Sequence, residues 1–136
     1  MEYTAYSRIR LINNAQEWSV TQDIYDPLSR YLLYGLMPGS FWSAVLINDW
    51  AEAISRSHPG NNIEELKNAT RWIASVWPEE SHGSIKNVKA WNKMEDGDRR
   101  VILARERLVY TEQEEVMMAL SGRAVEDEEW VRKVWF

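Results

Sequence analysis

The feature that most constrains this chain is the helical spacing of apolar residues in segments that proline and glycine bring to an end. The clearest segment runs from Ile63 to Val76, and Pro78 follows it. Apolar residues three and four positions apart share one face of an α-helix, because the helix has 3.6 residues per turn. The spacing therefore predicts an amphipathic helix with a buried face of Ile63, Leu66, Ala69, Thr70, Trp72, Ile73 and Val76.

Turn and capping signals predict three more helices in the middle of the chain. Asp-Pro favours a helix start, glycine a helix stop, and serine before an apolar run an N-cap. These signals predict Pro27–Tyr34 after Asp26, with Gly35 as its stop, Phe41–Ser57 after Ser40, and Ile85–Met94 after Ser84. In the last of these, Ile85, Val88 and Trp91 are expected to point inward.

The two ends of the chain leave alternatives open. Residues 1–25 fit a strand that turns at Asn13-Asn14, or a helix that runs on to Trp18. After a turn at Asp96-Gly97-Asp98, residues 99–110 fit a helix with Val101 on its apolar face, and a strand is the alternative. Thr111 and Glu114 form a capping box for a helix ending at Ser121-Gly122, and Glu126 to Glu129 open a last helix.

These elements predict a mainly α fold. We expect a compact, single-domain bundle of about six or seven short helices, with a small β element near the N-terminus as an alternative. Residues 26–94 would form the helical core and residues 95–136 the C-terminal helices, and 136 residues suit one domain.

Composition narrows the class of protein. The chain has no cysteine, which excludes disulfides and thiolate metal sites. Its formal net charge of −5 argues against nonspecific nucleic-acid binding, which needs a cationic surface. No signal-peptide pattern opens the sequence, and its longest apolar stretch is too short to span a bilayer. We therefore expect a cytoplasmic protein that does not bind membranes.

Tryptophan is unusually frequent, with eight residues in the chain. Tryptophan brings a large contact area and one N–H donor, so it is common both in cores and at interface hot spots. We expect most of these residues in the core. Any that remain exposed become candidates for partner contact.

Recognised catalytic patterns are missing. The sequence contains no phosphate-binding glycine loop and no nucleophile elbow. Asp49 and Glu52 lie one helical turn apart and could do acid–base chemistry, although a solvated helix face explains them as well. His58 fits a helix-ending turn, and His82 beside two glutamates is a weak metal signal. We predict no enzyme activity, no metal and no cofactor.

Arginines and aromatic residues in the second half allow a nucleotide-binding interpretation. Arg99 and Arg100 are close in sequence to Arg105 and Arg107, and guanidinium groups suit phosphates. Trp91, Tyr110 and Trp130 could stack on bases if folding brings them together. The acidic runs 112–115 and 126–129 could mimic phosphates, but their position at helix starts favours a role in capping.

The stretch from Tyr34 to Asp49 reads Y-G-L-M-P-G-S-F-W-S-A-V-L-I-N-D. It resembles a group of small phage proteins that carry a Y-G-x-x-P-G-S-F-x-x-A-V-L-x-N-D pattern, and the similarity covers residues 30–92. The resemblance implies a phage-encoded, non-structural protein in the cytoplasm of the infected cell. It brings no activity and no catalytic residue with it.

Two hypotheses about function follow. In the first, a phage accessory protein binds and inhibits a host or anti-phage defence protein without catalysis. In the second, a homo-oligomeric sponge sequesters a small anionic signalling nucleotide. A helix start at Ser40 offers backbone N–H groups to an anion. The candidate ligand- or partner-binding residues are Gly39, Ser40, Phe41, Asn48, Asp49, Glu52, Arg99 and Arg100.

Overall fold

The computed structural model describes residues 2–56 and 62–122. These residues form eight α-helices and one 3-10 helix and contain no β-strand, which confirms the mainly α prediction. The helices are α1 (Ala5–Glu17), α2 (Gln22–Tyr34), α3 (Ser40–Leu46), α4 (Trp50–Arg56), α5 (Ile63–Val76), the 3-10 helix (Glu79–Ser81), α6 (Ile85–Lys93), α7 (Asp96–Arg105) and α8 (Glu112–Leu120). The predicted last helix from Glu126 and the turn at His58 lie outside the described residues.

The N-terminal alternatives are decided in favour of a helix. In α1 the side chains of Leu11, Ile12 and Ala15 are fully buried, and they lie one to four positions apart as a helical face requires. A strand over the same residues would place Leu11 and Ile12 on opposite sides of a sheet. Burial of both residues together therefore favours the helix.

The helix α2 lies at the centre of the molecule. Leu28, Tyr31 and Leu32 are fully buried on it. The Nε1–H of Trp91, on α6, donates to the carbonyls of Tyr31 and Leu32, at 3.2 Å each. These carbonyls belong to the last turn of α2, where helical donors run out. The Tyr31 carbonyl also accepts from the Gly35 N–H (2.8 Å). The Tyr31 hydroxyl donates to the carbonyl of Ser81 (2.6 Å), so α6 and the 3-10 helix are both held against α2.

The prediction that α2 begins at Pro27 is wrong. The helix starts five residues earlier, and Pro27 lies within it. Proline removes one helical hydrogen bond, but here the loss falls near the N-terminal end. Starting the helix at Gln22 places Tyr25 in the aromatic core, where its ring packs beside that of Trp72. Gly35 does end the helix, as predicted, with a φ of 73°.

The predicted single helix Phe41–Ser57 is also wrong, because the chain divides it into α3 and α4. Asn48 adopts a left-handed conformation (φ 65°) directly after α3. Its N–H donates to the Val45 carbonyl (3.0 Å), and the Asp49 N–H donates to the Ala44 carbonyl (2.9 Å). This is the Schellman arrangement that ends a helix, and asparagine tolerates the left-handed position better than most residues.

An aromatic cluster joins α1, α2 and α5. The Trp72 and Trp77 rings meet edge to face at 5.3 Å, and Tyr25 and Tyr31 pack beside them at 6.1 and 6.2 Å. The Trp72 Nε1–H donates to the Asn14 side chain on α1 (2.8 Å). These large rings supply much of the buried apolar area on which the core depends.

The described tryptophans follow the core expectation. Trp72, Trp77 and Trp91 are buried, and Trp18 and Trp42 are partly buried against the core. Only Trp50 among the described tryptophans is largely exposed, at 48%. The high tryptophan content therefore mainly reflects packing in this part of the chain.

Two neighbouring arginines of α7 are buried. The Arg99 guanidinium lies against Gly35 and donates to the carbonyls of Trp91 (2.9 Å), Asn92 (3.3 Å) and Met94. These carbonyls end α6, so Arg99 satisfies acceptors that the helix itself cannot. The turn predicted at Asp96-Gly97-Asp98 is instead the first turn of α7.

Arg100 joins the two ends of the described chain. It donates to Glu115 on α8 (2.7 Å) and its guanidinium lies 4.2 Å from the Tyr3 ring centre. The Glu115 carboxylate also accepts from the Ser7 hydroxyl (2.6 Å) and from the Thr4 N–H (3.1 Å) and hydroxyl. A buried ion pair needs such extra hydrogen bonds to offset the loss of hydration.

Three apolar residues that the periodicity places inside are exposed. Ile63 and Ile85 each occupy the first position of a helix, and Val101 lies on the outer face of α7. In α7 the inner positions are taken by Arg99 and Arg100 and not by Val101. Burial of these arginines is tolerated because their guanidinium groups are hydrogen-bonded. The phase of the α7 stripe was therefore predicted incorrectly.

We expect Gly35→Ala to destabilise the protein strongly. A Cβ at this position would lie 2.4 Å from Arg99 Nη2, and the positive φ is itself unfavourable for alanine. The expected cost is about 2–3 kcal/mol in the free energy of unfolding, measured by urea denaturation. Gly39→Ala is the control, because a Cβ there meets nothing within 4 Å. Similar costs at both positions would contradict this account.

We expect Glu115→Gln to cost about 3 kcal/mol, since it leaves the buried Arg100 without its counter-charge. Glu112→Gln is the matched control on the same helix. Glu112 also faces Arg100, at 4.0 Å, but its side chain is 47% exposed, so its loss should cost less than about 1 kcal/mol. Equal effects in urea denaturation would show that burial of the pair is unimportant.

The pH dependence of stability should also depend on Glu115. Burial acts to raise the pKa of this carboxyl, but hydrogen bonds from Ser7 and Thr4 and the charge of Arg100 outweigh it, so the pKa lies below its ordinary value of 4.5. A lowered pKa contributes stability above that value, which is lost as the pH falls further. Wild type should therefore lose more stability than Glu115→Gln between about pH 6 and pH 3. Parallel pH profiles would contradict this.

Candidate binding groove

An open, mainly apolar groove lies between α3 and α6. Its volume is about 470 Å³. Met37 and Ile85 are about half exposed at its sides, and the buried side chains of Ala44 and Val88 reach it from α3 and α6. The lining residues are Met37, Pro38, Ser40, Ser43, Ala44, Ile47, Glu52, Ile85, Val88 and Lys89.

Hydrogen bonds hold the walls of the groove in place. The Ser43 hydroxyl donates to the Pro38 carbonyl (3.0 Å), which fixes the Met37-Pro38 segment against α3. The Gly83 N–H donates to the Leu46 carbonyl (2.7 Å), which ties the loop before α6 to the end of α3. Ser84 then caps α6 by accepting from the Asn87 N–H (3.1 Å), as the sequence predicts. The groove is therefore preformed rather than assembled on binding.

Two of the candidate site residues line this groove, and two more are the chain neighbours of Ser40. Ser40 and Glu52 line it. Gly39 precedes α3 at the N-cap position, whereas Ser40, predicted to be the cap, is the first helical residue. Phe41 is half buried and contacts Trp42 edge to face at 4.9 Å, so it belongs to the packing of α3. The α3 helix has only seven residues, which is too short to support an anion site by itself.

Asn48 and Asp49 have a structural explanation. Asn48 ends α3, and its side chain accepts from the Trp50 Nε1–H (2.7 Å). The Asp49 carboxylate accepts from the Glu52 N–H (3.1 Å) and so caps α4. The Asn48-Asp49 pair therefore serves as a helix stop followed by a helix start.

Arg99 and Arg100 do not line the groove, and internal partners occupy their donors. Of the other groups considered for a nucleotide site, Trp91 is fully buried, and Arg10 lies over the Tyr110 ring at 4.3 Å. Trp130 lies outside the described residues. Arg99, Arg100, Trp91 and Tyr110 are therefore engaged in contacts within the fold.

A larger cavity, of about 670 Å³, lies between α5 and α7. It is polar, and Arg105 crosses it to make a two-point contact with Glu80 at 2.9 Å and a further contact with Glu106. The hydrogen bonds from Arg105 lower the pKa of Glu80. Arg105, Glu80 and Glu106 are thus paired with one another, and we favour the apolar groove as the binding site.

Ser81 and His82 are the described pair that most resembles a nucleophile and its base. Ser81 Oγ lies 3.1 Å from His82 Nδ1. The serine is fully buried, however, and its hydroxyl donates to the Pro78 carbonyl (2.7 Å). Burial also lowers the pKa of His82. The pair therefore shapes the loop before α6 and offers no nucleophile to a substrate.

Most of the groove is not evident from the sequence. Helical spacing predicts Ile47 and Ile85 on buried faces, and no pattern indicates a site at Met37 or Lys89. The available signal was the position of Ile85 at the first turn of α6, where a residue has fewer helical neighbours to cover it. Neither segment alone shows that α3 and α6 lie opposite each other in the fold.

Further checks concern metals, membranes and relatives. Within residues 2–56 and 62–122, no three histidine or acidic side chains gather as a metal site would require. None of the helices in these ranges has the length and apolar character needed to cross a bilayer.

Comparisons with protein-family models, with curated proteins and with solved structures find no match.

Proposed function

We propose that this protein is a non-catalytic accessory protein that binds another protein through the groove between α3 and α6. The observation that carries the proposal is the open apolar groove, whose edge residues Met37 and Ile85 remain about half exposed. Apolar surface of this kind on a folded domain is typical of partner-binding sites. Helical segments of partner proteins commonly occupy such grooves.

A protein partner suits the groove better than a small anionic ligand does. A small-molecule site usually encloses its ligand and directs several polar groups at it. The groove is open and lined mainly by apolar side chains, and Arg99 and Arg100 do not reach it. These features favour inhibition of a protein over sequestration of a nucleotide.

The resemblance of residues 34–49 to phage proteins suggests what kind of protein the partner is. On this proposal the chain is made by a phage, acts in the cytoplasm of the infected bacterium, and occludes a host or anti-phage defence protein. Inhibition then follows from occupancy of the partner's surface and requires no chemistry. The preformed walls of the groove favour such a role, since little ordering is needed on binding.

The test is capture of a partner from bacterial host lysate by the tagged protein. Wild type should retain a stoichiometric protein, and Ile85→Asp should lose it, because a charge at the groove edge opposes apolar contact. We expect at least about a tenfold loss of captured protein, measured by quantitative mass spectrometry.

Ile63→Asp is the matched control. Ile63 and Ile85 are both exposed first residues of capped helices, and Ile63 does not line the groove. Aspartate is compatible with both positions, because negative charge is favourable in a first helical turn. The proposal fails if no stoichiometric partner is captured, or if the two variants retain it equally.

A further inference from the structure

We propose that the segment recognised by the groove is an amphipathic helix with acidic residues along one edge of its apolar face. This inference rests on the proposed function and names the chemistry of the partner. It depends on the distribution of charge around the groove.

A row of lysines runs along the exposed side of α6, the helix that forms one wall of the groove. At about 100° per residue, Lys86, Lys89 and Lys93 fall within about 60° on the solvent side of α6. Lys89 lines the groove, and the helix contains no acidic residue. The row covers seven residue steps, or about 10 Å of helix. This local positive charge contrasts with the formal net charge of −5 for the whole chain.

These lysines have no counter-charges in the described part of the chain. The ion pairs found there involve arginines, namely Arg99, Arg100 and Arg105. An acidic partner would therefore meet positive charges without first breaking internal bridges. Opposite charges across an interface contribute mainly to specificity and association rate.

The side of the groove formed by α3 and α4 is lined by apolar and hydroxyl side chains and by Glu52, and it has no lysine or arginine among its lining residues. The lysines of α6 would therefore attract an acidic edge of the partner helix to one side of the groove. The apolar lining would contact the central stripe of that helix.

The experiment uses two labelled peptides of about 16 residues, long enough to form helix in isolation. Both carry leucine at i, i+3, i+4 and i+7, and one has glutamates along one edge where the other has lysines. Fluorescence anisotropy with the full chain should show binding of the glutamate peptide at least about tenfold tighter than of the lysine peptide. Raising the salt concentration should reduce that difference, because exposed charges are screened.

Two double variants separate local from global charge. Lys86→Glu/Lys89→Glu reverses the α6 row, and Lys67→Glu/Arg71→Glu reverses two exposed cations on α5. Each reversal changes the charge by two at two positions, so both variants go from −5 to −9. The α6 variant should bind the glutamate peptide about tenfold more weakly and prefer the lysine peptide, whereas the α5 variant should stay within about twofold of wild type.

Several results would overturn the inference. These are equal binding of the two peptides, no binding of the glutamate peptide up to about 1 mM, or full binding by Ile85→Asp. A second copy is the alternative occupant, because Val116, Met117 and Leu120 are exposed beside Glu112 on α8. The groove would be assigned to a contact between two copies if two results were found together. Self-association would be lost in both Ile85→Asp and Leu120→Asp, and the glutamate peptide would not displace it.

Failure of the acidic-helix inference can be distinguished from failure of the proposed function. If a lysate partner depends on Ile85 but is retained equally by the α6 and α5 charge variants, the acidic-helix inference fails and the proposed function stands. If no partner depends on Ile85, the proposed function itself fails.

Discussion

The hydrogen bonds from Arg99 to the last carbonyls of α6 are the contact on which the groove depends. They place the C-terminal end of α6 against Gly35, at the end of α2, while Trp91 fastens the same helix to the last turn of α2. The donors of a buried guanidinium are costly to leave unpaired, so this arrangement has few alternatives. One wall of the groove is thereby held by polar contacts inside the core, and the exposed side of α6 stays free to carry lysines.

The other wall depends on the interruption between α3 and α4. A continuous helix from Phe41 would have carried Glu52 away along a straight axis. The left-handed Asn48 and the Asp49 cap instead turn the chain, and Glu52 comes to line the groove with Ser40 and Ile47. Two residues that look like candidate ligands in the sequence therefore act through backbone geometry. Their role in the fold is to shape this wall of the groove.

Much of the fold was predictable, and the site largely was not. Helix α5 has the bounds that the periodicity predicts, and Ser84 and Thr111 cap α6 and α8 as the sequence predicts, because capping and periodicity are local. The start of α2 was predicted wrongly at Pro27, because a proline near a helix start does not have to be the first helical residue. Of the candidate residues, Ser40 and Glu52 line the groove, whereas Arg99 and Arg100 are buried. A side chain's exposure depends on neighbours that are distant in sequence.

The sequence by itself determined the helical class, several helix ends and the acidic balance, since these follow from residue spacing, capping chemistry and composition. Only the tertiary structure decided which face of α7 points inward. Hydrophobicity places Val101 inside, but Glu115 and the end of α6 provide acceptors for two arginines. The groove was likewise decided in three dimensions, because it exists only where α3, α4 and α6 meet. Hydrogen-bond partners supplied by other helices set the final arrangement, and no single segment contains that information.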